Sequence, residues 1–115
     1  VHESGHLEGW AASPGRYTGP VRIITSLADG TRLQPGEILV AHSTDPSWTP
    51  LFLVAGAVVL EVGGPLSHAA IVAREFGLPA VLNVRGSTRA LNQGETVTVD
   101  GNEGRVERHD HRSVP

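Results

Sequence analysis

The sequence predicts an α/β domain built on a mixed sheet. Three observations carry this. Aliphatic runs at Glu37–Ala41, Ala57–Glu61 and Ala80–Val84 read as short strands covered on both faces. Helix-start and helix-stop signals fall between them, and hairpin-like segments flank the alternation. A length of 115 residues suits one domain with one core. There is no cysteine, which excludes disulfide scaffolds, thiolate zinc sites and cysteine nucleophiles. Net charge is −3, and the nine basic residues are all arginine with no run of like charge, which argues against a nucleic-acid surface. The longest apolar stretch, Leu51–Leu60, is broken by Gly56 and is too short to span a bilayer. With no signal-peptide pattern, a cytoplasmic location and no membrane partner are expected. Aromatic residues make up 4%, too few for a stacking surface. The chain starts at Val1 and has no methionine, so a segment of a longer protein is expected.

Taken in order, Val1–Gly9 is polar and reads as a frayed end. Gly9–Ser13 and Pro20–Thr25 are predicted strands, separated by the turn-rich Ser13-Pro14-Gly15 and Tyr17-Thr18-Gly19. Asp29-Gly30 and Leu33-Gln34-Pro35-Gly36 mark turns before the first aliphatic strand. Thr44-Asp45-Pro46 is a helix-start signal, a capping oxygen with proline in the first turn, and Thr49-Pro50 repeats it. The helix is predicted over Pro50–Ala55, with Gly56 ending it. Gly63-Gly64-Pro65 is a tight loop after the second aliphatic strand, and Ser67–Phe76 is a helix closed by Gly77 with Pro79 beyond. Ala69, Val72, Ala73 and Phe76 share the face expected to pack on the sheet, with Ala70, Arg74 and Glu75 pointing away. Thr96–Val99 and Arg105–Glu107 form a hairpin around Asp100-Gly101-Asn102-Glu103-Gly104, and the tail from His109 is polar.

The informative stretch is Gly63-Gly64-Pro65-Leu66-Ser67-His68-Ala69-Ala70. Ser67 is a good N-cap, able to accept from the backbone N–H of Ala69 or Ala70, which places His68 at the first helical position. Backbone N–H groups are unpaired there and the helix end carries about half a positive charge. That field favours a neutral imidazole, able to act as a nucleophile, and stabilises an arriving anion. The plainer reading of His68 is a surface residue or a capping partner. Ser67 and His68 do not form a dyad, because neighbours on a helix point about 100° apart. No glycine-flanked serine elbow is present, and the glycine pair is not a P-loop, since no Gly-Lys follows and the chain has no lysine. ATP is therefore not expected to bind to this piece alone. His2, His6, His109 and His111 offer a metal site only on paper, because exposed terminal histidines are usually solvated; no metal is expected. His42 follows the first aliphatic strand and is placed either to line the site or to bridge backbone groups.

The run Gly63-Gly64-x-x-Ser67-His68-Ala69-Ala70-Ile71-Val72-Ala73-Arg74-Glu75-x-Gly77-Leu78-Pro79-Ala80-Val81 resembles the signature of the phosphohistidine swivelling domain of PEP-utilising enzymes. That family includes phosphoenolpyruvate synthase, pyruvate phosphate dikinase, Enzyme I of the sugar phosphotransferase system and rifampicin phosphotransferase. Thr44-Asp45-Pro46-Ser47-Trp48-Thr49-Pro50 and Val97-x-Val99-Asp100-Gly101-x-x-Gly104-x-Val106 agree, so the resemblance runs from Ser13 to Val106. It implies a swivelling β/β/α domain over 13–108, an N-terminal linker over 1–12 and a tail over 109–115. It implies that His68 is the phosphorylated residue, with Gly63, Gly64, Ser67, the backbone of Ala69, and Arg74 at the phosphate. Arg74, six positions on, does not share a face with His68, and holding a neighbouring loop is its other reading. Members such as phosphoenolpyruvate synthase carry threonine and arginine before the glycine pair and polar residues ahead of the histidine. Here those places hold Leu60, Val62 and Leu66, which leaves the phosphate to backbone N–H groups and Ser67. Leu66 and Trp48-Thr49-Pro50-Leu51-Phe52 look more similar to the rifampicin phosphotransferase branch. The implied function is a phosphoryl carrier working between companion domains of one parent chain: one binds ATP or PEP with Mg²⁺, and another binds the acceptor. The alternative is a docking or regulatory module that keeps the fold and is never phosphorylated.

Overall fold

The computed structural model describes residues 6–109. In chain order the elements are β1 (His6–Glu8), β2 (Trp10–Ser13), β3 (Arg16–Ile23), β4 (Ile38–Ala41), α1 (Thr49–Val54), β5 (Ala57–Leu60), α2 (His68–Phe76), β6 (Ala80–Leu82), α3 (Ser87–Ala90), β7 (Thr96–Asp100) and β8 (Arg105–Arg108). Short 3-10 turns occupy Leu27–Arg32 and Pro46–Trp48.

The eight strands lie in the order β1-β8-β7-β3-β4-β5-β6-β2. β4, β5 and β6 run parallel, and all three are buried on both faces, as their aliphatic runs predict. β3 belongs to two neighbourhoods. Arg16–Pro20 pairs antiparallel with β7, and Val21–Ile23 pairs parallel with β4.

Side-chain alternation along the parallel strands divides the core in two. Leu39 and Ala41 of β4 and Val58 and Leu60 of β5 pack with Phe52 of α1 and Ala69, Ala70 and Ala73 of α2. Ile38, Val40, Ala57 and Val59 pack on the other side with Val97 and Val99 of β7 and Val106 of β8. The antiparallel strands thus fold back over the parallel ones. The result has three layers (antiparallel strands, parallel strands, helices), which is the β/β/α arrangement.

Several local readings are corrected. Tyr17-Thr18-Gly19 is not a turn, because β3 runs through it with each residue paired to β7. The Tyr17 hydroxyl donates to the Gly36 carbonyl at 2.6 Å, and its ring covers Gly56, where a Cβ would collide with it. The polar end and the linker expected over 1–12 give way from His6 onward: β1 pairs antiparallel with β8, and β2 pairs antiparallel with β6. Both are edge strands, whose backbone groups find a partner while their side chains stay polar or mixed. Ala70, expected to point away, is fully buried, whereas Phe76, expected on the packed face, is 39% exposed. α3 and the turn at Leu27–Arg32 carried no periodic signal. α2 itself starts and stops as expected. The Ser67 side chain accepts from the Ala70 N–H, and Gly77 closes the helix with φ of 71°.

Candidate active site

β4 and β5 are parallel neighbours in register, so the loops leaving their C-terminal ends emerge side by side. Open parallel sheets place ligand sites at such ends. The β4 loop leads through Asp45 to α1, and the β5 loop leads through Gly63 and Gly64 to α2. α1 and α2 pack on each other, which brings Thr49 at the start of one helix to His68 at the start of the other.

His68 is partly buried. Its Nε2 lies 3.0 Å from the Thr49 hydroxyl oxygen, and that hydroxyl donates to the Pro46 carbonyl at 2.8 Å. With its proton committed to Pro46, the Thr49 oxygen accepts from His68 Nε2–H. The lone pair of the neutral ring then sits on Nδ1, which is buried without a partner. The Phe52 ring meets the imidazole nearly edge-on, with centroids 5.9 Å apart and planes at 74°. Two residues of α1 therefore hold the ring.

Ser67 organises the loop and the helix start. Its hydroxyl donates to the Gly64 carbonyl at 2.8 Å and accepts the Ala70 N–H at 3.3 Å. The Ile71 N–H goes to the Ser67 carbonyl. The His68 and Ala69 amides are left as the first-turn donors with no acceptor within the helix. Gly63 has φ of 146°, a conformation that side chains rarely adopt, and a Cβ there would press on Leu82. Gly64 has nothing within 4 Å of where a Cβ would stand, so the space beside the loop is open.

Arg74 does the loop-holding work. Its Nε donates to the Ala12 carbonyl at 2.9 Å, and its two terminal nitrogens reach the Pro65 carbonyl at 3.3 and 3.4 Å. Its guanidinium also sits 6.0 Å from the centroid of Trp10. It straps β2 to the segment just ahead of His68. Leu60 is buried in the core, Val62 is exposed, and Leu66 is 86% exposed.

His42 does not line the ring. Ala41 and Leu60 face the helices, so the next residues along, His42 and Glu61, turn to the opposite side, where α3 lies. Glu61 accepts from His42 Nδ1 at 2.8 Å, and from the Thr88 N–H and hydroxyl at 2.9 and 2.7 Å. The His42 bond, then the Thr88 hydroxyl, outweigh burial and hold the Glu61 carboxyl at about 2. His42 also bridges backbone, its carbonyl accepting the Glu61 and Val62 N–H groups. This network braces the strand ends on which the glycine loop is mounted.

Two site residues escaped the sequence reading. Thr49 was read as a helix start, and nothing in the sequence marks its reach across 19 positions to His68. Asp45 accepts from the Ser47 hydroxyl and N–H, which hold its carboxyl below the usual range, and it caps the short turn that leads into Thr49. Of the terminal histidines, His6 bonds Glu8 and His109 bonds Thr98, while His2 and His111 lie outside the described residues. Among the described residues no three His, Asp or Glu side chains converge as a metal site would require.

Residues 33–104 match the model of the mobile domain of PEP-utilising enzymes. The chain is 51% identical over 104 residues to the prodigiosin synthesizing transferase PigC of Serratia marcescens, covering 90% of this chain and 12% of that protein. It is 44% identical over 103 residues to a rifampicin phosphotransferase of Streptomyces sviceus, again covering 90% of this chain and 12% of that protein. Among solved structures, Enzyme I aligns over 74% of this chain and 35% of its own, with a TM-score of 0.62 and 30% identity.

Proposed function

The chain belongs to the mobile-domain family of PEP-utilising enzymes, and from that premise we propose that His68 carries a phosphoryl group between two sites held by companion domains of a longer parent chain. The observation that carries this reading is the place of the ring. It stands at the first residue of α2, beside the unpaired His68 and Ala69 amides, with a glycine at the open side of the loop. Backbone N–H groups, at a helix start that Ser67 caps, stand in for the side chains absent at Leu60, Val62 and Leu66. Arg74 contributes by holding the loop.

Nε2 is the accepting nitrogen in this scheme, because Nδ1 is covered. The ring must first leave Thr49 and move its proton to the other nitrogen. A phosphorus–nitrogen bond then forms as the donor's phosphorus–oxygen bond breaks, and the electron pair leaves with the donor oxygen. The second transfer reverses this toward an acceptor. ATP or PEP, with its Mg²⁺, is held by a companion domain, and the setting is cytoplasmic. The chain spans 12% of the length of the two relatives above, so there is ample room for such domains.

The test is intact mass after incubation with the cognate donor domain and ATP or PEP, before and after acid. One acid-labile phosphoryl group, lost in His68→Ala, is the expected result. The isolated chain is expected to show no turnover with donor and acceptor. A second reading, a docking module that is never phosphorylated, draws on the apolar residues at 60, 62 and 66, and absence of any mass gain would favour it.

A further inference from the structure

Three exposed aliphatic side chains lie on the segments that carry His68 and its partner Thr49. Leu53 lies one turn along α1 from Thr49, which bonds the ring, and is 70% exposed. Ile71 lies one turn along α2 from His68 itself and is 43% exposed. Leu66, 86% exposed, directly precedes the N-cap. Leucines left this open beside a reactive group are a contact surface rather than core. The acidic side chain nearby is exposed Asp45, which caps the Pro46–Trp48 turn leading into Thr49 and accepts from Ser47. The cation at hand, Arg74, is engaged by Ala12 and Pro65 carbonyls.

A phosphoryl donor is strongly anionic, and its transfer needs cations close to the transferred group. Among the described residues this face offers apolar contact and a negative charge but no free cation, so it complements a surface with apolar side chains and basic residues around a bound polyphosphate or phosphoenol ester. We infer that Leu53, Leu66 and Ile71 form the collar by which this domain seats on the donor-binding domain of its parent chain, with Asp45 meeting a basic residue there. The collar excludes water from the phosphohistidine while the two sites are joined. This inference rests on the carrier reading above.

The experiment uses the parent chain with Leu66→Asp, Leu53→Asp and the conservative Leu66→Met. Acid-labile phosphate on His68 is timed with the natural donor, and separately with phosphoramidate, a small donor that needs no docking. The aspartate variants are expected to slow labelling by the natural donor roughly tenfold, as loss of a central contact residue does, and Leu66→Met to leave it within about twofold. All three are expected to match wild type with phosphoramidate. Unchanged labelling by the natural donor in the aspartate variants would overturn the collar. So would equal slowing with both donors, which would mark damage to the site itself. If wild type sediments as a dimer that Leu66→Asp dissociates, the face belongs to a second copy and the inference falls. If wild-type His68 takes phosphate from phosphoramidate and none from the natural donor, the carrier reading fails first.

Discussion

Thr49 and His68 show what a single hydrogen bond can decide. Because the Thr49 hydroxyl proton is spent on Pro46, its oxygen fixes the proton on Nε2 and the lone pair on the buried Nδ1. The resting ring is therefore latched in the unreactive tautomer for attack through Nε2. A hydrogen bond of this kind is worth ~0.5–1.5 kcal/mol. Thr49→Val keeps the shape and removes the latch, so phosphoramidate labelling of His68 is expected to quicken by about two- to tenfold; a time course of acid-labile phosphate checks it. Glu61 offers a second test. Folded Glu61 titrates at about 2 against an ordinary 4.5, so it binds protons more weakly when folded. Its stabilisation is complete above the unfolded value and drains away as pH falls from 4.5 to about 2. Denaturant midpoints measured across that window should fall in the wild type and vary less in Glu61→Gln. Neither residue's role was legible in the sequence, since each depends on partners 19 to 27 positions away.

At the scale of elements, α1 matters more than its six residues suggest. Phe52 is 1% exposed, anchors α1 in the helix-side core and presents its ring to His68. Phe52→Ala is expected to cost ~3–5 kcal/mol, read by denaturant unfolding, and to free the imidazole. α2 and the three parallel strands were legible because their signals are local: a serine cap, a terminating glycine and uninterrupted aliphatic runs. β1 and β2 were not. Their partners, β8 and β6, lie some 70 to 100 positions on, and an exposed edge strand needs no hydrophobic pattern. The capping signal around Ser67 placed His68 at the start of α2, where it stands in the structure. Which side chains would crowd the ring depended on how α1 docks.

For the whole molecule, the two sheet layers meet where the β7–β8 turn lies against β2. A Cβ on Gly101 would overlap the Ser13 carbonyl, and the Gly101 N–H donates to the Gly15 carbonyl at 2.7 Å. Backbone rather than a movable side chain stands in the way, so Gly101→Ala is expected to destabilise by more than ~2 kcal/mol, read as a lowered melting temperature. Asp100 beside it is buried, yet the Glu103 and Asn102 N–H groups and Arg16 keep its carboxyl below the usual range. The same edge-strand pairing that joins β1 to β8 sets His6 opposite Glu107. Polypeptide crossing into this body at one and out beyond the other does so through a gap of about one strand spacing, ~5 Å. A load carried in on one strand and out on the other would therefore fall on this one edge of the sheet, where β1 and β8 lie side by side.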